Sequence, residues 1–425
     1  MTQTTTEMVK TDLDSAYYYL GGDRLHSGQY INLLNLLEQE GLIVNLISGL
    51  PISPRRFTVM WTARHSIGPN PVAMVRQQIK GRVYQLPFLT RYPDLSALLL
   101  ARILGWPGGA DRRVVVHAKQ VGMGLMAVTA KRWLPNLRVI SEMEGDVMAE
   151  LEYVQDKGRQ PLLAWTKAEA LIREERRVVR ESDALLCVST KLKEVVTQRN
   201  QLTLHEASKI FVFPSVASGQ RFCFDSEDRR RTRQALQLDE RYVVVYSGNL
   251  NAPWQLPGKL VEVFGWIKQQ RSSAFFLIMT QDTDHRYIEP YLQGIALSPG
   301  DYRLLSCPHS EVVRYLCAAD VALLLRERHL MNEVASPGKF AEYVLCGLPI
   351  IMTDGIGDYS AQMHGSALAC ILPDWSELGI AREAVQKFCR NDFSMAQRMA
   401  FSQWAAARFS MEALMPRLVD LYKTV

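Results

Sequence analysis

"SPGKFAEYVLCGLPIIMT", residues 336–353, reads as a helix followed at once by a strand. Ser336 suits the N-cap, and Pro337 the first helical position, where no amide hydrogen bond is needed. Gly347 suits the C-terminal turn, and Pro349 forbids continuation. At about 100° per residue, Phe340, Ala341, Val344 and Leu345 form an apolar stripe that packs on a sheet. Lys339, Glu342, Tyr343 and Cys346 share the other face, which is expected to look outward. Lys339 is the odd residue. A capping box would place Glu or Gln there, and the helix dipole repels a cation at its N-terminus.

Outward from this unit the pattern repeats. "YVVVYSG" (242–248), "AFFLIMT" (274–280), "YRLLS" (302–306), "VALLL" (321–325) and "LPIIMT" (348–353) read as short buried strands with helices between. Upstream, "LIVNLIS" (42–48), "RVVVHA" (113–118), "LRVISE" (137–142), "ALLCVS" (184–189) and "IFVFPS" (210–215) make a second such run. Helical patterns such as "SGQYINLLNLLEQEG" and "GLMAVTAKRWLP" lie between them. Continuous apolar strands alternating with helices imply parallel sheets covered on both faces. The polar stretch from 216 to 240 separates the runs. The expected organisation is two doubly wound Rossmann-like α/β domains, 1–215 and 216–395. Terminal helices over 396–425 are expected to pack back toward the first domain. Ligands of such folds bind at the carboxyl ends of the strands and in the cleft between domains.

Bulk properties narrow the class. The chain has 425 residues, 48% apolar and 22% charged, which is ordinary globular composition. No apolar run approaches the length of a membrane span, and the start "MTQTTTEMVKTDLDSAYYYL" does not read as a signal peptide. The seven cysteines form no CxxC. A reduced, cytoplasmic protein without structural zinc is expected. Residues 51–140 hold fourteen Lys or Arg against Asp94 and Asp111. This suits an anionic partner, such as a membrane face, or else a solvated basic surface.

Several residues could carry chemistry. An anion at the helix N-terminus would explain Lys339, because the amides from Ser336 through Gly338 to Lys339, the dipole and the ammonium all favour phosphate. Glu342, one turn deeper, could then accept from a pair of sugar hydroxyls. The alternative is a Lys339–Glu342 surface pair worth a few tenths of a kcal/mol. In "YSGNLNAPWQLPGK", Gly248 would let backbone approach a ligand, with Asn249 and Asn251 adding polar groups; an ordinary turn is the alternative. Arg326, Arg328 and His329 could clamp a diphosphate or sit in a solvated loop. His117 ends a strand, with Lys119 beyond it, and could reach a cleft. "QDTDH" (281–285) has the form of an Asp-x-Asp metal clamp, but the pattern is too short to carry that reading.

"ASPGKFAEYVLCGLPII" followed by "GIGDYS" resembles the donor-binding segment of glycosyltransferase family 4, in the bacterial subgroup written SPxKFxEYLAxGxPVI. "VVVYSGNL", "CPHSEVVRYLCAADVALLL", "SDALLCVSTKLKE" and "FSMEALMPRLVDLY" are similar to other blocks of that family, in the same order. The resemblance implies a GT-B fold, two Rossmann-like domains facing a central cleft. It implies a nucleotide-diphosphate sugar donor on the second domain and a lipid-linked or polysaccharide acceptor on the first. It also implies retaining transfer without a metal or other cofactor. Glu342 matches the second Glu of the family's E-x7-E motif, which binds the donor ribose. The first falls at Val334, with Glu333 one residue away. Lys339, the Ser336 amides, Gly248 and Asn249 would contact the diphosphate. Leu304 to Cys307 match the loop near the nucleobase, and His117 and Lys119 match the family's His-x-His region. His117, Lys119, Arg326 and Lys339 are thus the expected catalytic set. The expected location is the cytoplasm or the inner face of the membrane, with no nucleic-acid partner. A nucleotide-sugar epimerase or a non-catalytic GT-B protein is the alternative.

Overall fold

The computed structural model describes residues 15–21, 28–51, 78–88, 93–105, 112–156, 164–295, 297–373, 375 and 378–425. Residues 1–14 of the stretch read for a leader, the first strand-to-helix turn, and Arg55, Arg56, Arg64, Arg76 and Arg91 of the basic stretch lie outside them.

Among the described residues, β1 (Ser15–Gly21), β2 (Val44–Pro51), β3 (Val83–Phe88), β4 (Arg113–Lys119), β5 (Leu137–Met143), β6 (Ala184–Cys187) and β7 (Ile210–Val212) form one sheet. Its order is β3-β2-β1-β4-β5-β6-β7, and every pairing is parallel. A second parallel sheet has the order β10-β9-β8-β11-β12-β13. It is built from β8 (Tyr242–Ser247), β9 (Ala274–Met279), β10 (Tyr302–Leu305), β11 (Val321–Leu324), β12 (Ile350–Thr353) and β13 (Ala369–Leu372). Every residue of β8, β9, β11 and β12 is buried. Helices cover both faces, which is why these strands carry no polar alternation.

The sequence reading omits β1, β3 and β13. β1 is an interior strand of its sheet, yet "SAYYYLG" is aromatic rather than aliphatic. β3 contains Pro87, and β13 is a four-residue edge strand. The stretch expected to be a polar connector contains the helix Ser226–Leu236, whose Arg233 and Arg229 grip Asp320 and carbonyls before β11.

Strand order reverses between β1 and β4 in the first sheet and between β8 and β11 in the second. Crevices open at the carboxyl ends of such strand pairs. The chain crosses between sheets twice, and the two crossings are joined. Met411 N donates to Ala217 O at 2.9 Å, and Glu412 accepts from Ser218 Oγ and Gly219 N at 2.8 and 2.7 Å.

Only part of the terminal segment returns to the first domain. The helix Met395–Phe409 stays on the second, with Phe401, Ala405 and Phe409 in its core. The helix Met411–Thr424 packs against β1, β2 and the Gly28–Gln39 helix through Leu414, Met415, Leu418 and Tyr422. Ser410, the cap that starts the last helix, separates them.

The charge imbalance of residues 51–140 is local to the sequence. Folding brings Glu38 to Lys80, Asp183 to Lys131 and Arg138, Asp94 to Arg132, and Glu144 to Lys119. Arg112 holds Ser15 O, and Arg113 holds the carbonyls of the C-terminal turn. These described cations are held within the fold, and the five outside the described residues leave the anionic-partner reading open.

Candidate functional site

The helix of the opening motif spans Gly338–Leu345. Pro337 takes the N-cap position expected for Ser336. The Ser336 hydroxyl is used elsewhere: it accepts from Ser215 N at 2.8 Å and lies 2.8 Å from the Tyr359 hydroxyl. The helix ends in a Schellman motif. Leu348 N donates to Tyr343 O and Gly347 N to Val344 O, with Gly347 left-handed at φ 63°.

Of the face expected to look outward, Glu342, Tyr343 and Cys346 are buried and Lys339 is half-buried. Tyr343 and Cys346 have no exposed surface, and Glu342 is 8% exposed. The Tyr343 hydroxyl accepts from Ser247 N at 2.8 Å, locking the helix to the end of β8. The surface-pair alternative is therefore excluded. Lys339 turns to Tyr246 and Gln255, whereas Glu342 Oε1 meets His309 Nε2 at 2.9 Å.

Lys339 Nζ donates to Tyr246 OH at 3.0 Å and to Gln255 Oε1 at 2.8 Å, and it lies 4.5 Å from the centre of the Tyr246 ring. Arg326 leaves the end of β11 and donates from Nη1 to the same Gln255 oxygen at 2.9 Å and to Trp254 O at 3.2 Å. Its side chain is buried, so the solvated-loop alternative fails for this residue. No carboxylate is ion-paired to Lys339 or Arg326 among the described residues. Burial first, and Arg326 second, push the Lys339 ammonium well below its ordinary pKa; burial likewise lowers that of Arg326. Two cations at one switch point with a neutral shared acceptor make a site prepared for an anion.

Gly248 has a different role from the expected one. Its amide is returned to Met279 O at 2.8 Å, so it is not offered to a ligand. Its φ is 135°, and a Cβ there would stand 2.3 Å from Lys339 Cε. The glycine is the space through which Lys339 reaches the crevice. The Asn249 side chain closes a turn by accepting from Asn251 N at 2.7 Å. Asp284 accepts from Leu250 N at 2.9 Å, and Asp282 lies exposed beside His285. The Asp-x-Asp stretch thus braces the glycine loop.

Other expected residues fall apart or move. Arg328 is exposed beside Glu333, and His329 caps the short helix Leu330–Glu333 by accepting from Met331 N. Neither joins Arg326. Val334, where the first motif Glu would stand, is fully buried among residues of the first domain. Leu304 and Cys307 are half-buried around the end of β10, and His309 just beyond carries that loop to Glu342.

A second cluster lies at the β1/β4 switch point. His117 is buried, with Nδ1 2.9 Å from the Tyr422 hydroxyl and Nε2 3.1 Å from Glu142 Oε2. Lys119 is paired in register with Glu142 on β5, and its Nζ is 2.9 Å from Glu144. Burial alone would raise the Glu142 pKa, but Lys119 and His117 outweigh it and bring it down to about 2. The pocket beside them is about 50 Å³, lined by Tyr19, Phe213, Ser215 and Met411 as well. That admits a few waters or the edge of a sugar, not a whole ring.

Tyr246, Gln255, His309, Glu142 and Tyr422 escaped the sequence reading. Glu142 had a signal, since it ends an apolar strand as His117 does. Gln255 and Tyr422 had none, because their partners are distant in sequence.

No family model matches the sequence, and no curated protein matches it. Solved structures do match over nearly the whole chain. A glycosyltransferase from Rickettsia africae superposes with a TM-score of 0.68 at 12% identity, covering 96% of this chain and 98% of its own. Anabaena HepE in complex with UDP gives 0.64 at 10% identity, covering 96% and 100%. WaaG, a glycosyltransferase involved in lipopolysaccharide biosynthesis, gives 0.61 at 13%, covering 97% and 99%. At such identities the likeness shows the fold, and that fold is GT-B: two parallel-sheet α/β domains.

Proposed function

We propose that the protein is a glycosyltransferase of family-4 type that takes a nucleotide-diphosphate sugar as donor. The observation that carries this reading is the Lys339–Arg326 pair, a half-buried and a buried cation sharing one neutral oxygen at the β8/β11 switch point. The structural relatives support it, since HepE is solved with UDP and with UDP-glucose. Glu342 would bind the ribose, exchanging His309 for sugar hydroxyls. Negative charge that develops on the departing diphosphate would meet Lys339 and Arg326 without reorganisation. The acceptor hydroxyl would attack from the face bearing the diphosphate and pass its proton to a phosphate oxygen, so configuration is retained. No metal or other cofactor is required, because the fixed cations take that role. His117 and Lys119, across the cleft, would orient the acceptor.

The proposed acceptor is lipid-linked or a growing glycan, met from the cytoplasmic side. No described helix is long and apolar enough to cross a membrane. The helix Pro93–Gly105 exposes Leu95 and Leu98, with Trp133 also exposed nearby in the first domain, a surface suited to peripheral contact. Flotation with anionic vesicles at low salt tests this; failure to float removes the membrane from the proposal.

The decisive experiment is a thermal-shift panel of UDP, GDP, ADP, dTDP and CMP on the wild type, Lys339→Met and Glu342→Ala. One nucleotide should stabilise the wild type and neither variant. No shift at millimolar ligand would overturn the transferase reading. A nucleotide-sugar epimerase remains the second reading, favoured by the titratable His117–Glu142–Glu144 cluster. Turnover of donor to an isomer without acceptor would establish it.

A further inference from the structure

Gln255 belongs to no motif, yet it sits at the centre of the cation pair. Its side chain is buried. One oxygen, Oε1, receives Lys339 Nζ at 2.8 Å, Arg326 Nη1 at 2.9 Å and the Tyr246 hydroxyl at 2.9 Å. The backbone is shaped for this. Pro253–Gln255 form a single 3₁₀ turn, Leu256 follows in the left-handed region at φ 50°, and Pro257 starts the next helix. A leucine rarely adopts that conformation, and here it turns the chain so that Gln255 points inward.

The residue type matters. Two cations held together with little water, Arg326 buried and Lys339 half-buried, repel each other and must each satisfy their donors. A hydrocarbon would leave donors unmet. A carboxylate would satisfy them but would also supply the counter-charge. A neutral amide oxygen holds both and adds no counter-charge of its own. We propose that Gln255 is a positioning residue that holds Lys339 and Arg326 at the crevice while reserving their charge for the donor's diphosphate. This rests on the donor-site reading above and adds to it a residue that does not touch the donor.

The test uses the full chain and two probes, inorganic pyrophosphate and UDP, titrated calorimetrically at several salt concentrations. The variants are Gln255→Glu, Gln255→Leu and Lys339→Met. Gln255→Glu should fold at least as stably as the wild type, because it pairs both cations. It should bind both probes at least tenfold more weakly, with a flatter dependence on salt, since the site's net charge has fallen. Gln255→Leu should also weaken binding but keep the wild-type salt dependence, because the charge remains and only its placement is lost. If Lys339→Met loses binding while Gln255→Glu binds within twofold of the wild type, Gln255 is merely structural and the inference falls. If Lys339→Met binds as the wild type does, the donor site itself is misplaced, and this proposal falls with it.

Discussion

Gly248 shows how a single residue can serve a site through what it lacks. The Lys339 side chain passes through the volume a Cβ would fill, and the backbone there has a positive φ. Gly248→Ala should cost about 1–3 kcal/mol in backbone strain and displace the ammonium from Gln255. The expected result is a folded protein whose affinity for UDP falls tenfold or more by calorimetry; wild-type affinity would show that Lys339 does not bind the phosphates. Glu142 is the matching case in the first domain. Its folded pKa of about 2 lies below the ordinary carboxyl value of 4.5. It therefore contributes stability that is fully present above pH 4.5 and is lost as the pH falls toward 2. Glu142→Gln should be less stable than the wild type near pH 6, with the difference shrinking below pH 4.5 in denaturant titrations. A difference that does not change with pH would refute the ion cluster.

At the scale of elements, the Gly338–Leu345 helix links the sheet to the anion site. Its apolar stripe packs in the second domain's core, and Tyr343 ties it to Ser247 at the end of β8. Its C-terminus is fixed with equal care. Gly347 is left-handed, and a Cβ there would approach Arg398 O to 2.3 Å. The buried Arg398 guanidinium in turn donates to Gly347 O, Cys346 O and Ala319 O. Gly347→Ala should destabilise the second domain by about 2–4 kcal/mol, combining αL strain with backbone overlap. A melting temperature unchanged within a degree would contradict this geometry.

For the whole molecule, the two domains meet through apolar packing of Val334 and Met331 on the first domain and through polar contacts around it. Asp358 of the second domain caps a helix of the first, accepting from Thr190 N at 2.9 Å and Thr190 Oγ1 at 3.0 Å. Tyr153 donates to Glu327 at 2.9 Å, and the Ser189 hydroxyl donates to Val334 O at 2.8 Å. Asp358→Ala removes bonds worth about 1–2 kcal/mol, enough to shift a balance between open and closed forms about tenfold. Small-angle scattering of the ligand-free variant should show a larger radius of gyration, with melting little changed. An unchanged radius would mean that other contacts hold the domains.

The sequence by itself determined the two runs of buried strands, the helix–strand unit at 336–353 with its Gly347 stop, and the positions of Lys339, Glu342, Arg326 and His117 at strand and helix ends. These follow from local patterning, since apolar continuity and capping residues are legible a few residues at a time. It left β1 unread, because an aromatic strand lacks the aliphatic signature, and it did not show that Lys80, Lys119, Lys131 and Arg138 meet carboxylates from outside the basic stretch. Only the tertiary structure decided that Lys339 turns inward, that Gly248 makes room for it, and that Gln255 and Tyr422 sit against the site residues. Each of those facts depends on which distant segments folding brings within a few ångströms, and spacing along the chain does not encode that distance.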